Sequence, residues 1–343
     1  MSIDKGSVSF EFTKAICATF GLGSAADALI SPLGGNANRL WRLDVPAGQF
    51  AVKEFRYTVE DAAWVEAVRR AAEFEYTVWE TGAILMPQPV RTVDGALVPI
   101  RISMSGRPAL IRMHRWFDGE EVIMPYDVAL AARAGTQLAL IQDLGTAFHR
   151  QRSGILRWPL WEPAVVLDRL RRSGLIESET ARDGRSLLHE VELLVRQGET
   201  TTGAWVYCHY DHKPGNIRLV GDMLGVLDWD ESAACHPRLE AVESAMRWAG
   251  FESGVLAVDL FGTFLDAYRV AGGQADRLRP ADFAKCAAGI LSWIDCQGRR
   301  ALKESTDDVE EEVVGAVGEV RSSLDALRRL SAGIPTWCTA AFL

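Results

Sequence analysis

Nowhere do eighteen apolar residues run together in this 343-residue chain, so no membrane-spanning helix is expected. The first residues carry neither a basic stretch nor a long apolar run, so no signal peptide is expected either. The six cysteines, at positions 17, 208, 235, 286, 296 and 338, form no C-x-x-C pair. They read as reduced, mostly buried thiols, in keeping with a cytoplasmic location. Cys208, His209, His212, Cys235 and His236 lie close in sequence, but their spacing matches no familiar zinc pattern. Basic residues are the minority, 37 Lys and Arg against 46 Asp and Glu, for a net charge of −9. That argues against nucleic acid as a partner and suits a cationic ligand drawn into an acidic cleft. The marked charge run, residues 304–312, has six acids among nine residues and reads as the opening of a solvent-facing helix. Neither a GxxxxGK[ST] loop nor a full GxGxxG is present. What is present is a 48% hydrophobic composition, enough to fill two cores in a chain of this length.

The most specific stretch is Cys208–Asp230, CHYDHKPGNIRLVGDMLGVLDWD. Asn216 follows Asp211 by five residues, and Asp228 follows Asn216 by twelve. Phosphoryl transfer from a nucleotide needs a carboxylate to orient the attacking hydroxyl. It also needs an amide oxygen and a second carboxylate to hold Mg²⁺ on the phosphates. The order H-x-D-x-x-x-x-N, then a strand ending in Asp, supplies those groups. Pro214-Gly215 provides a turn that brings Asn216 back toward the same metal, with glycine free to take φ > 0. Ile217–Val220 and Leu224–Leu227 read as a hairpin about Gly221-Asp222, which sets Asn216 beside Asp228. The competing reading is a surface turn followed by a buried hairpin.

The upstream half fits the same chemistry. Leu40–Val45 alternates with period two, Pro46-Ala47-Gly48 turns, and Gln49–Phe55 forms a second strand carrying Ala51-Val52-Lys53. Lys53 stands where a phosphate-gripping lysine is needed; otherwise it is an edge-strand solubility device. Gly34 and Gly35 can bring backbone N–H groups to phosphate oxygens, or form an ordinary turn. Residues 61–80 have apolar positions every three to four residues, the pattern of an amphipathic helix ended by Gly82. Glu73 or Glu75 on it could pair with Lys53, and the spacing to Val78 and Trp79 favours Glu75. Ala109–Trp116 reads as the last strand of this half. The backbone of Met113, His114 and Arg115 is then the hinge that meets the nucleotide base.

These residues resemble the aminoglycoside phosphotransferase and choline kinase superfamily, whose fold is similar to that of protein kinases. The resemblance runs from about Ile30 to about Ala301 and rests on His209–Asp230, on Gly34, Gly35 and Asn38, on the A-V-K strand, and on Trp116–Gly119. It implies an α+β, two-lobed fold with an N-terminal antiparallel sheet and one main helix (residues 1–117) and a mainly helical C-terminal lobe (118–343). It implies ATP or GTP as co-substrate, Mg²⁺, and a small-molecule hydroxyl as acceptor. Carried over residue by residue, Asp211 is the catalytic base, Asn216 and Asp228 are metal ligands, and Lys53 is the phosphate lysine. Two departures stand out. Tyr210 occupies the place of a frequent glycine, and Glu240 stands where the family often has an Asp that orders the catalytic loop. Lys213 is expected to neutralise charge on the transferring phosphoryl group.

Helices are expected near residues 126–151, 161–172, 178–197, 239–249, 255–271, 280–302 and 308–330. Trp248 and Trp293 either stack on a ring-containing acceptor or fill the core. Glu243, Asp266 and Asp295 are candidate partners for a substrate amine. The acceptor reads as an antibiotic or other natural product. The alternatives are a metabolic substrate such as choline, homoserine or a sugar, and a non-catalytic nucleotide-binding protein. Protein phosphorylation ranks last, for want of an A-P-E signature after Asp228.

Overall fold

The computed structural model describes residues 10–34, 38–55, 59–102, 108–151, 162–201, 203–254, 256–303 and 310–340. Its packing divides the chain into two units, Met1–Val122 with His209–Ala233, and Ile123–Cys208 with Ala234–Leu343. The His209–Asp230 block, expected in the C-terminal lobe, groups with the N-terminal unit and not with the helical one. The reason is hydrogen bonding: its hairpin adds a strand from the N-terminal segment, and Val226 N–H donates to Leu85 C=O at 2.9 Å.

In the first unit, α1 (Phe10–Phe20) precedes β1 (Leu29–Gly34), β2 (Arg39–Val45) and β3 (Gly48–Glu54). Then come α2 (Ala62–Thr81), β4 (Ile100–Ile102), β5 (Pro108–Arg115) and β6 (Glu120–Glu121). Strands β1-β2-β3-β5-β4 form an antiparallel sheet. Side chains alternate across a strand, and here the alternation sorts apolar from charged groups. Trp41, Leu43, Phe50, Val52, Ile111 and Met113 pack with Phe12, Ile16 and Phe20 of α1. Leu110 and Phe55 pack with Val65, Val68 and Ala72 of α2. Lys53, Arg112 and His114 share that second face. Helix α2 begins at Asp61, whose Oδ1 accepts from Ala63 N–H and Trp64 N–H at 3.0 and 3.1 Å, and ends at Gly82 with φ 65°.

The second unit contains α3 (Val128–Gln151), α4 (Pro163–Arg172), α5 (Ser178–Glu199) and β7 (Val206–Cys208). The chain then returns to the first unit for β8 (Ile217–Val220) and β9 (Met223–Val226), which with β6 form a three-stranded sheet. Strand β10 (Ala233–Cys235) pairs with β7. Helices α6 (Pro237–Trp248), α7 (Val258–Val270), α8 (Ala284–Ala301) and α9 (Glu310–Ala340) complete the unit. Helix α3 packs on α7 and β7, and α8 on α9. Four of the six free cysteines are buried. Among the described residues, no helix is long and apolar enough to cross a membrane.

Candidate active site

The site residues of the first unit are placed by three short pieces of backbone. Pro214–Asn216 make one 3-10 turn, with Asn216 N–H donating to Lys213 C=O at 2.9 Å. Gly215 does not use its freedom to take φ > 0, contrary to expectation. Positive φ falls instead on Tyr210 (73°) and Asp228 (61°), while Gly221 takes 58° in the hairpin turn. The hairpin runs in register from Ile217↔Val226 to Val220↔Met223. Leu227 N–H donates to Asn216 C=O at 2.8 Å, which holds Asn216 one residue from the Asp228 level.

Asp211 is clamped from two sides. Asn216 Nδ2 donates to its backbone carbonyl at 2.9 Å and to its Oδ2 at 2.8 Å. The Lys213 ammonium reaches the same Oδ2 at 2.8 Å, so this lysine is paired with Asp211. With its Nδ2 committed to Asp211, Asn216 retains its amide oxygen as the atom to offer a metal. Asp228 keeps 45% side-chain exposure and so stays reachable from solvent. Desolvation, followed by Asp230 and Asp211, pushes its carboxyl up, while Lys53 opposes the shift. One carboxylate and one amide oxygen are hard donors in the number that Mg²⁺ takes from protein when phosphates supply the rest.

Lys53 donates to Asp228 Oδ1 at 2.6 Å and also to Asp230 Oδ2. Burial alone would lower this ammonium, but Asp230 and Asp228 outweigh it and hold its pKa above the ordinary lysine range. The expected Lys53–Glu75 pair is not the one formed. Glu75 is buried, as its spacing requires, but its carboxylate receives Arg112 and, at 3.0 Å, His114 Nε2. Arg112 stands directly opposite Lys53 in the β3–β5 ladder. Its longer, forked side chain takes Glu75, while the shorter reach of Lys53 ends on the D-W-D segment. Burial foremost, then the Arg112 charge, lowers His114 to about 3, so the ring is neutral and its Nε2–H donates to Glu75.

The hinge expectation also needs correction. Met113 C=O accepts from Val90 N–H, and Arg115 N–H donates to Gln88 C=O, each at 2.9 Å. His114 pairs with Ala51, and Trp116 N–H donates to Gln49 C=O at 2.8 Å. Backbone at Met113, His114 and Arg115 is therefore engaged on both edges of β5, and Phe117 is the first residue past this pairing. Gly34 ends β1 opposite Leu40 after a bulge; Gly35 lies outside the described residues.

Within the second unit, Trp248 is buried against Tyr126, with ring centroids 5.8 Å apart. Trp293 Nε1–H donates to Glu319 at 3.1 Å. Each carboxylate considered for a substrate amine already has a basic partner: Glu243 has Lys285 and Arg247, Asp266 has Arg269, and Asp295 has Arg299. Glu240 is fully buried and accepts from Gln142 Nε2 at 2.8 Å.

Sequence reasoning missed Arg112 and Asp230. The available signal was the alternation in ALIRMHRW, which puts Leu110, Arg112 and His114 on one face of an otherwise apolar strand.

No protein-family model matches the chain, and no curated protein is significantly similar to it in sequence. Solved structures do match in fold. A spectinomycin phosphotransferase in complex with ADP and spectinomycin has a TM-score of 0.64 at 11% identity, covering 94% of this chain and 98% of that one. An amicoumacin kinase with AMP-PNP and Ca²⁺ has a TM-score of 0.60 at 12% identity, covering 91% and 92%. A choline kinase from Cryptosporidium parvum Iowa II has a TM-score of 0.57 at 10% identity, covering 96% and 100%. The chain therefore shares the fold of these small-molecule phosphotransferases and kinases.

Proposed function

We infer that this protein transfers the γ-phosphoryl group of ATP or GTP to a hydroxyl of a small molecule. The observation that carries the reading is the convergence of Lys53, Asp211, Asn216 and Asp228 in one unit, linked by the contacts at 2.6–2.9 Å described above. In this reading Asn216 and Asp228 hold Mg²⁺, which neutralises phosphate charge. Lys53 exchanges part of its carboxylate pairing for phosphate oxygens. Asp211, fixed by Asn216 and Lys213, accepts a hydrogen bond from the acceptor hydroxyl and aims it in line. The base meets backbone beginning at Phe117, and Gly34-Gly35 cover the phosphates. The acceptor is an antibiotic or other hydroxylated natural product. Spectinomycin and amicoumacin are bound by two proteins of this fold, which supports that choice; a choline kinase shares the fold too, so metabolic alcohols stand as the alternative.

The test is Mg²⁺-dependent consumption of ATP and GTP across a panel of hydroxylated antibiotics and small metabolic alcohols, with Asp211→Asn alongside. That variant is expected to fold, bind nucleotide, and lose about 10³-fold or more in kcat. Acceptor-stimulated turnover near the wild-type rate in the variant would sink the assignment. Stimulation by choline-type alcohols alone would move the substrate to metabolism.

A further inference from the structure

Arg112 takes no part in the chemistry assigned above, yet it is 2% exposed and faces two carboxylates. Its position makes this informative. It is the direct cross-strand neighbour of Lys53, and two like charges set opposite each other repel, more strongly when desolvated. The repulsion is relieved by strict alternation of sign. Glu75 meets Arg112, Arg112 meets Asp230 Oδ1, Asp230 Oδ2 meets Lys53, and Lys53 meets Asp228. Asp230 thus divides its two oxygens between two cations. Glu75 is fixed on α2, and the adjoining Phe74 packs edge-on against Trp229 at 5.8 Å. Helix α2 therefore reaches the D-W-D segment by an apolar contact and by an ionic one, and the ionic one passes through Arg112.

We propose that Arg112 is a positioning residue that couples α2 to the phosphate lysine through Asp230, in place of a direct Lys53–Glu75 pair. The proposal rests on the phosphotransferase reading. Were Asp228 to ligate a metal ion, Lys53 would be left with one of its two carboxylates. Asp230, pinned by Arg112, is the anchor that remains, and it keeps the ammonium aimed at the phosphates. Lysine at position 112 keeps the charge but not the fork that holds two carboxylates at once.

The experiment is titration of the full chain with Mg²⁺-ATP and, separately, with adenosine, which has no phosphates for Lys53 to grip. The proteins are wild type, Arg112→Lys, and the double variant Glu75→Gln with Arg112→Gln, which removes one buried acid and one buried base together. Both variants are expected to lose about tenfold or more in ATP affinity, with adenosine affinity unchanged. ATP affinity at the wild-type level in either folded variant overturns the proposal. Equal losses for ATP and adenosine also overturn it, because they mark a merely structural role. If the wild type binds neither ligand and does not bind Mg²⁺-GTP either, the phosphotransferase reading falls and takes this coupling with it; if it binds GTP alone, the same comparison is made with GTP and guanosine. If wild type binds ATP and the variants match it, only the role of Arg112 falls.

Discussion

His209 joins two parts of the site with one ring. Its Nε2–H donates to Leu227 C=O at 3.0 Å, its Nδ1 accepts from Asp211 N–H at 3.3 Å, and its face lies 4.6 Å from the Trp229 ring centroid. These contacts tie the Asp211 loop to the end of the hairpin. Between His209 and Asp211, Tyr210 holds φ 73°, which costs a side-chain-bearing residue about 1–2 kcal/mol. A glycine, frequent at this place in the resembling family, avoids that cost. His212 carries a testable consequence. Burial first, then His209, lowers it to about 3, with Asp211 opposing. Folded, it stays neutral; unfolded, it titrates near 6.5. The unfolded chain therefore binds an extra proton between those values, and stability falls as pH drops from about 6.5 toward 3. His114 acts in the same direction. Urea melts at pH 7, 6 and 5 should show a loss of roughly 2 kcal/mol per histidine at pH 5, and His212→Asn should remove about half of the slope. Equal midpoints at pH 7 and pH 5 would mean that these imidazoles titrate freely.

At the scale of elements, α2 and α3 contrast in what can be read ahead. Helix α2 announces itself through Asp61, its apolar spacing and Gly82, and the spacing that placed Glu75 inward is matched by its burial. Helix α3 has the expected periodicity, but nothing local explains Gly145 on it. The structure does: a Cβ there would lie 1.7 Å from the Tyr207 carbonyl oxygen of β7. A backbone group inside a paired strand cannot swing aside as a side chain can. Gly145→Ala should therefore destabilise the protein by about 3 kcal/mol or more, read as a lower denaturant midpoint at unchanged slope. A midpoint within experimental error of wild type would mean that α3 and β7 separate easily. The reach of β6 to β8, two residues of pairing at Glu120↔Leu219 and Glu121↔Arg218, was invisible in sequence because so short a strand has no period.

For the molecule as a whole, the charge of −9 is the property of most use. It favours encounter with cationic acceptors, and salt screens that attraction over about 8–10 Å at physiological strength. If the acceptor is an amine, kcat/KM should fall as ionic strength rises from about 0.02 to 0.3 M, whereas a neutral acceptor should show little change. A flat salt profile for a cationic acceptor would remove long-range steering from the account.

The sequence by itself determined that the candidate residues of one short stretch lie together. Asp211, Asn216 and Asp228 are bound by short local spacing, a turn and a hairpin, and such geometry needs few distant contacts. Lys53 follows from a strand pattern equally local. The partners of these groups were decided by tertiary structure. Lys53 lies 175 residues from Asp228, and Arg112 lies 118 from Asp230. Which cation takes which carboxylate depends on the β3–β5 register and on side-chain reach across a buried face. The same dependence turned Glu75 from Lys53 to Arg112 and engaged the backbone of Met113 and Arg115 with Val90 and Gln88. Spacing along the chain fixes what is close by a few bonds, and only the packed sheet fixes which distant charges meet.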